Sequence, residues 1–273
     1  MKLEPLTGNR QFIYELLNRA KTYHCSISAV YEYDLTDTLR RIDEQTAAGK
    51  EISLTSVLVK ATATVVSRHP RFNAHLFHRH GRQYVAEFGQ ISCSLVVKRL
   101  SDAGEEILFP VLVRDPEKRT IADIYREIKH FKEARLDHLP QMASFARIKK
   151  LPWWAFKYFS YKARSDPEFY LKYFGTYGLS SVVSNGWGAL AGNGYANTAA
   201  GFVPATLRDK AVVIGGAIEV RRMLTLGLVA DHYLLDGSDI LRAMSDLRTL
   251  LETPVLLERP DDHAQPAPGA QGQ

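Results

Sequence analysis

The sequence predicts an α/β fold, because apolar, β-rich runs and amphipathic helical patterns both recur along its 273 residues. A hydrophobic fraction of 45% is enough for one large domain with a real core. The C-terminal end differs, since residues 259–273 are rich in proline, glycine and polar side chains. We therefore expect a single domain over residues 1–258, followed by a disordered tail.

The first elements are predicted by their periodicity. Residues 8–23 have the apolar spacing of an amphipathic helix, and residues 26–34 alternate as a strand does. Thr36 or Asp37 is the expected N-cap of a second helix, which reaches about residue 49. Residues 53–66 contain many β-branched side chains, but their apolar content favours a buried helix.

The middle of the chain predicts two strands and a helix. The strands cover residues 91–97 and 107–113, around a turn at residues 102–104. Pro110 lies in the second strand, and because proline cannot donate to a ladder, that strand belongs at a sheet edge or a bulge. Residues 120–136 have apolar side chains spaced for one face of a long helix.

A strand over residues 223–230 ends in Asp-His-Tyr-Leu-Leu-Asp-Gly, residues 231–237. A further strand is predicted just before it, over residues 211–220, and a helix begins after it at Ser238. The helix should bury one apolar face, formed by Ile240, Leu241, Met244, Leu247, Leu250 and Leu251. Catalytic groups often lie where a rigid strand ends, and histidine is the side chain best suited to move a proton near neutral pH.

The pattern His-x-x-x-Asp-Gly, formed by His232, Asp236 and Gly237, resembles the signature of the chloramphenicol acetyltransferase-like superfamily. With Asp231 before the histidine, it is similar to the acyltransferase (catalytic) domain of 2-oxo-acid dehydrogenase complexes, although that family usually has arginine where Tyr233 stands. The resemblance implies a two-layer sandwich of a mixed β-sheet covered by helices. It also implies a homotrimer with the active site between subunits, and coenzyme A as the cosubstrate.

The same resemblance implies roles for individual residues. His232 would be the general base, and Asp236 would fix its loop through an ion pair with Arg10, which lies in a segment similar to the family's arginine-containing first helix. The run Gly-Thr-Tyr-Gly-Leu-Ser, ending at Ser180, resembles the family's Gly-Thr-Phe-Thr-Ile-Ser. That match assigns the oxyanion-binding hydroxyl to Ser180, with Ser181 and Ser184 as alternatives.

The resemblance extends over residues 8–257, with residues 151–174 as its weakest interval. That interval contains ten aromatic side chains among several lysines, and it is compatible with a core helix, a subunit contact, an acceptor pocket or, less favoured, a membrane-surface helix. No lipoyl or subunit-binding module is expected before the domain. We therefore expect a free-standing acyltransferase.

Composition argues against several other classes of protein. The net charge is +5, and basic and acidic residues are mixed along the chain, so the sequence does not indicate a nucleic-acid-binding surface. The small positive excess would suit an anionic ligand such as coenzyme A. Two cysteines without a CxxC motif argue against disulfide scaffolding and a cysteine zinc site. With no signal peptide or membrane span predicted, a cytoplasmic location is expected. His75, His78 and His80 are expected in a surface hairpin, and no metal is assigned.

Two other functions remain open at this point. The chain could be a non-catalytic homologue that holds a trimeric scaffold or binds a partner, although a scaffold needs neither His232 nor Asp236. It could also be a carrier-protein condensation enzyme, but those enzymes use a double histidine, where this chain has Asp231 before His232. Acyl transfer from acyl-CoA to a thiol, hydroxyl or amine acceptor through a ternary complex is the preferred hypothesis.

Overall fold

A computed structural model gives the structure of the chain. It describes residues 2–3, 14, 17–18, 20–100, 106–134, 139, 153–181, 183 and 198–258. The predicted first helix is represented by helical residues at 14, 17–18 and 20–23. The predicted tail lies outside the described residues.

The described elements include both strands and helices, as the sequence predicts. The strands are β1 Ser26–Asp34, β2 Ala74–Arg79, β3 Arg82–Glu87, β4 Ser92–Leu100, β5 Glu106–Arg114, β6 Tyr177–Leu179, β7 Ala200–Ile214 and β8 Ala217–Asp231. The α-helices are α1 Thr36–Ala47, α2 Leu54–Arg68, α3 Ile121–Glu133, α4 Trp153–Ser165, α5 Pro167–Tyr173, α6 Gly237–Glu252 and α7 Val255–Glu258.

Six strands form one mixed sheet in the order β1-β8-β7-β6-β4-β5. The short strand β6 runs parallel to both of its neighbours, and the other pairs are antiparallel. Pro110 lies in β5 at the edge of this sheet, as predicted from its missing N–H group. The strands β2 and β3 form a separate two-stranded hairpin.

The prediction of a single strand over residues 211–220 is wrong. The chain reverses inside that run at Gly215 and Gly216, so β7 and β8 form a long hairpin. Both glycines have positive φ, at 58° and 88°, which is the backbone of a two-residue turn that suits the twist of a hairpin. The apolar run continues on both sides of this turn, so hydrophobicity alone does not reveal it.

Helices α1, α2, α3 and α6 form the second layer. They share one core cluster with the large sheet, and its largest fully buried side chains include Tyr33, Phe72, Tyr177 and Phe202. Ser53 caps α2 with a capping box, and Lys60 in its second turn donates to three backbone carbonyls of the segment before α3. The two-layer architecture with a mixed sheet is therefore confirmed.

Two details of the helices differ from prediction. The N-cap position of α1 is Leu35 rather than Thr36 or Asp37, and the Asp34 side chain accepts from the Thr36 backbone and hydroxyl instead. Leu241 is 65% exposed, whereas the other five apolar residues predicted for α6 are buried. The helix turns Leu241 away from the sheet because it lies one position past Ile240, outside the buried stripe.

The aromatic segment contributes to the interior through α4 and α5. Tyr170 is fully buried and stacks on His75 of β2, with ring centroids 4.1 Å apart. His75 is therefore a buried residue, and the prediction of a surface hairpin holds for β3 but not for the first half of β2. Within the described residues, no helix is both long and apolar enough to cross a membrane.

Candidate active site

His232 lies directly after β8, where the sequence places it. Its backbone N–H donates to the carbonyl of Cys25 over 2.6 Å, which ties the start of the loop to the residue before β1. Its side chain is exposed, while Leu234 and Leu235 of the same turn are buried and anchor it. The imidazole thus lies at the surface on a backbone that the core holds in place.

The His232 ring has a defined tautomer. Nδ1 lies 2.9 Å from the Leu235 carbonyl oxygen, and because a carbonyl can only accept, Nδ1 must carry the proton. In the neutral ring, Nε2 then presents its lone pair. No group in the described part of the chain bonds to Nε2. This is the state that a general base needs before it accepts a proton from a substrate.

Asp236 caps the helix that follows the loop. Its carboxylate accepts from the backbone N–H groups of Ser238 and Asp239, in a capping box with the Asp239 side chain. The hydrogen bond from the Ser238 hydroxyl is the main cause that lowers the pKa of Asp236 below its usual value. Arg10 lies outside the described residues, so the ion pair between Asp236 and Arg10 stays a prediction.

Asp231, the residue before His232, is fully buried. Its Oδ2 lies 2.6 Å from Nδ1 of His24, and its Oδ1 accepts from the backbone N–H groups of Cys25 and Tyr233, each at 3.2 Å. His24 does not stand out in the sequence, since it lies 207 positions away. The antiparallel pairing of Ser26 with Asp231 is what brings it here.

Ser180 lies just beyond β6, which ends at Leu179. Its backbone N–H donates to the Phe202 carbonyl, and its side chain is half-buried. The predicted strand does not continue through Ser181, so an alternation of faces cannot rank the candidate serines. Ser184 lies outside the described residues.

Ser180 and His232 of one chain do not meet. Leu179 pairs with Phe202, which pairs with Leu228, four residues before His232. Because β6 runs parallel to β7 and β7 antiparallel to β8, Ser180 lies level with Gly227, five residues before His232. Strand geometry then separates the two residues by about 16 Å along the sheet and about 10 Å across it, or roughly 19 Å in total. A hydroxyl from this position cannot reach a substrate held at the His232 of its own chain.

The cysteines do not offer an activated nucleophile. Burial raises the pKa of the Cys93 thiol to about 12, so it is protonated at neutral pH. Cys25 is exposed, and neither cysteine forms a disulfide. Among the described residues, no group of three or more histidine, cysteine or carboxylate side chains is arranged to hold a metal ion.

Comparison with known proteins identifies the family. The family model described as 2-oxoacid dehydrogenases acyltransferase (catalytic domain) matches residues 1–143 and 199–258, which is well over half of the chain. The chain belongs to this family. The resemblance inferred from the His232 motif is thereby confirmed, and so are the predicted class of enzyme, an acyltransferase, and the predicted reaction type, acyl transfer.

A curated relative is the dihydrolipoyllysine-residue succinyltransferase component of the mitochondrial 2-oxoglutarate dehydrogenase complex of Bos taurus. It is 24% identical over 267 residues, which are 93% of this chain and 50% of that protein. The chain therefore spans about half the length of the curated relatives that it matches.

Two solved structures have the same fold. One is a probable dihydrolipoamide acetyltransferase from Listeria monocytogenes, with 21% identity, 93% and 95% of the two chains covered, and a TM-score of 0.66. The other is the cubic core of a pyruvate dehydrogenase multienzyme complex, with 19% identity, 94% and 93% coverage, and a TM-score of 0.67. At these identities the structures establish the fold alone, and it is of the predicted class.

Proposed function

We propose that this domain transfers an acyl group between acyl-CoA and a thiol acceptor, with His232 as the general base. The observation that carries this proposal is the hydrogen bond from Nδ1 of His232 to the Leu235 carbonyl, which leaves Nε2 as the basic atom. Hydroxyl and amine acceptors remain alternatives to the thiol. Coenzyme A acts as a cosubstrate, and the reaction needs no metal.

The chemistry proceeds in one ternary complex. Nε2 takes the proton of the acceptor thiol as its sulfur bonds to the thioester carbon of acyl-CoA, and the carbonyl oxygen becomes an oxyanion. When the intermediate collapses, the bond to the CoA sulfur breaks and the leaving thiolate takes the proton from Nε2. No covalent acyl-enzyme is required, which agrees with the protonated state of Cys93.

The oxyanion needs a donor, and we assign that role to the Ser180 hydroxyl of a neighbouring subunit. A preorganised donor of this kind contributes about 2.7–4 kcal/mol to lowering the barrier. The distance of roughly 19 Å that strand geometry gives between Ser180 and His232 of one chain supports a site shared by two chains. Ser181 and Ser184 are the alternative donors.

A homotrimer is the assembly that we propose. The tip of the β7–β8 hairpin supports it, because Val213 pairs with Ile218 and Ala211 pairs with Val220, so all four side chains share one face. Val213, Ile218 and Val220 are 72%, 77% and 72% exposed. Contiguous aliphatic surface of this kind usually belongs to an interface. The related cubic core also makes a larger assembly of trimers a reasonable proposal.

Mixing two inactive variants tests the shared site. His232→Ala lacks the base and Ser180→Ala lacks the donor, yet a mixed trimer contains one interface with both native side chains. After co-expression in equal amounts, about a quarter of all sites should contain both native residues, since each site takes its His232 and its Ser180 from different subunits. The expected activity is then about a quarter of that of the wild type. Recovery of about that fraction supports the shared site, and a mixture as inactive as its components contradicts it.

Testing pairs of acyl-CoA and acceptor would identify the acyl group and the acceptor. The relatives act, by their names, as a succinyltransferase and as an acetyltransferase of dihydrolipoyl groups. We therefore propose testing acetyl-CoA, succinyl-CoA and longer acyl-CoAs against dihydrolipoamide, with the release of free CoA thiol followed in real time. His232→Ala is the negative control for every pair.

A non-catalytic scaffold is the second candidate function. The exposed aliphatic face of the hairpin tip favours it, because that face suits assembly whether or not chemistry occurs. A trimer without turnover for any acyl-CoA and acceptor pair would establish the scaffold reading. A cytoplasmic location also remains a proposal, and cell fractionation tests it.

A further inference from the structure

We propose that His24 is a positioning residue for the catalytic base, acting through its buried contact with Asp231. His24 precedes β1 and Asp231 ends β8, so their side chains meet beside the backbone of His232. This inference rests on the proposed function in one respect, namely that His232 is the base whose placement matters.

The contact between the two side chains is short and shielded from water. Nδ1 of His24 lies 2.6 Å from Oδ2 of Asp231, and the two side chains are 4% and 0% exposed. Within the described residues, His24 is the one cationic or cationisable side chain at ion-pair distance from Asp231. A buried carboxylate is stable when its lone pairs are filled by donors, and here His24 adds to the two backbone N–H groups of Cys25 and Tyr233.

The contact between His24 and Asp231 lies next to a second contact that holds His232 itself. His24 and Asp231 are joined through their side chains, and the next residues, Cys25 and His232, are joined through their backbones. Two successive links thus hold the start of β1 against the end of β8. Asp231 also accepts from the N–H groups of Leu234 and Leu235 through its backbone carbonyl, so it fixes the turn whose Leu235 carbonyl orients the His232 ring.

The other side of His24 is supported by the aromatic segment. Its ring lies 5.4 Å from that of His75, which in turn stacks on Tyr170 of α5. His24 is therefore held between a buried carboxylate and a buried aromatic stack. With 4% of its side chain exposed, it cannot touch a substrate, and its effect must pass through Asp231.

A second histidine–aspartate pair in the same chain provides a matched control. Nε2 of His69 lies 2.9 Å from Oδ2 of Asp246, but these side chains are 20% and 43% exposed. This pair joins the end of α2 to the middle of α6, and within the described residues no hydrogen bond or ion pair links it to residues 231–236. Disrupting it removes a contact of the same chemical type without touching the proposed positioning path.

The decisive experiment compares His24→Asn with His24→Gln and His24→Leu. Asparagine places its amide nitrogen the same number of bonds from the backbone as Nδ1, so it can still donate to Asp231. Glutamine is one bond longer, and leucine cannot donate. Because a misplacement of about 1 Å can cost about 100-fold, we expect kcat to fall about 10–100-fold in His24→Gln and His24→Leu, with KM for acetyl-CoA nearly unchanged. His24→Asn should recover most of kcat.

The tautomer of His232 provides a readout that does not depend on turnover. Side-chain ¹⁵N–¹H spectra distinguish a protonated Nδ1 from a protonated Nε2. Wild type, His24→Asn and the control His69→Leu should all show His232 protonated at Nδ1, whereas His24→Gln should show a mixture of the two tautomers. If His24→Gln keeps both the wild-type tautomer and the wild-type kcat, the proposal is overturned.

The outcomes separate this inference from the proposed function. If the wild type has no acyltransferase activity, the tautomer comparison still decides whether His24 positions His232. Should His24→Leu fail to fold, the comparison of His24→Asn with His24→Gln decides in its place. An equal loss of kcat in His69→Leu would contradict a specific positioning role, because that variant breaks a pair outside the path.

Discussion

The two ends of β8 have different environments and different consequences. At its C-terminal end, β8 is paired on both sides, with β1 and β7, and it finishes at the fully buried Asp231 and the exposed His232. At its N-terminal end, the described residues 217–222 pair with β7 alone, and Ile218 and Val220 are largely exposed. One end orients a reactive side chain, and the other presents apolar surface.

The difference comes from pairing, since aliphatic side chains occur at both ends of β8. β1 begins opposite Asp231 and finishes opposite Met223, so its length decides how much of β8 is covered. Where three strands pair, the backbone is fixed on both sides and can position an imidazole. Where only two strands pair, their apolar face must be covered by another molecule or remain in water.

Removing the base at the C-terminal end should have the largest effect. General acid–base catalysis contributes about 10²–10⁴-fold, so His232→Ala should lower kcat by that factor while leaving the melting temperature and the oligomer size unchanged. CoA release, thermal unfolding and analytical ultracentrifugation measure these three properties. Turnover within a few-fold of wild type would show that His232 is not the base.

Much of this end could be predicted from the sequence, because strand, turn and helix signals coincide there. The extent of β8 to Asp231, the exposed His232 and the helix after Asp236 all follow from local patterns. The contact with His24 could not be predicted, since it depends on the register of a pairing between residues 207 positions apart. The choice among the serines near Ser180 stayed open for another reason, because β6 has only three residues and is too short to show a periodicity of its own.

The N-terminal end of β8 should respond in assembly rather than in chemistry. Val220→Lys places a charge in the exposed aliphatic face, so we expect trimers to dissociate and turnover to fall at least about 10-fold, because burying an unpaired charge opposes association. Val85→Lys is the matched control, since Val85 is a 58% exposed valine in the other hairpin. A Val220→Lys protein that stays trimeric would place the interface elsewhere.

The turn of the hairpin should give a smaller effect. Gly216 has a φ of 88°, and its added Cβ would meet no atom within 4 Å, so any cost comes from backbone strain alone. Gly216→Ala should therefore lower the free energy of unfolding by about 1–2 kcal/mol. Gly89→Ala, where φ is ordinary and space is open, is the control. Chemical denaturation of both variants measures the difference, and equal stability would contradict strain at the turn.

The smallest effect concerns Asp236, which follows the loop of His232. Asparagine caps a helix about as well as aspartate does, and alanine does not, so Asp236→Ala should lower the melting temperature by roughly 2–4 °C and Asp236→Asn by less. Both should lower kcat only to the extent that the loop loosens. A loss in Asp236→Asn as large as that in Asp236→Ala would instead support the predicted ion pair with Arg10.

The pH dependence tests whether the charge of the Asp236 carboxylate contributes to stability. Because the pKa of Asp236 in the folded chain lies below its usual value, its ionised form adds stability above about pH 4, and that stability is lost as the pH falls through the lowered value. The melting temperature of wild type should therefore exceed that of Asp236→Asn at pH 7, and the gap should close in acid. A gap that stays constant from pH 7 to below pH 3 would mean that the carboxylate charge contributes nothing to the cap.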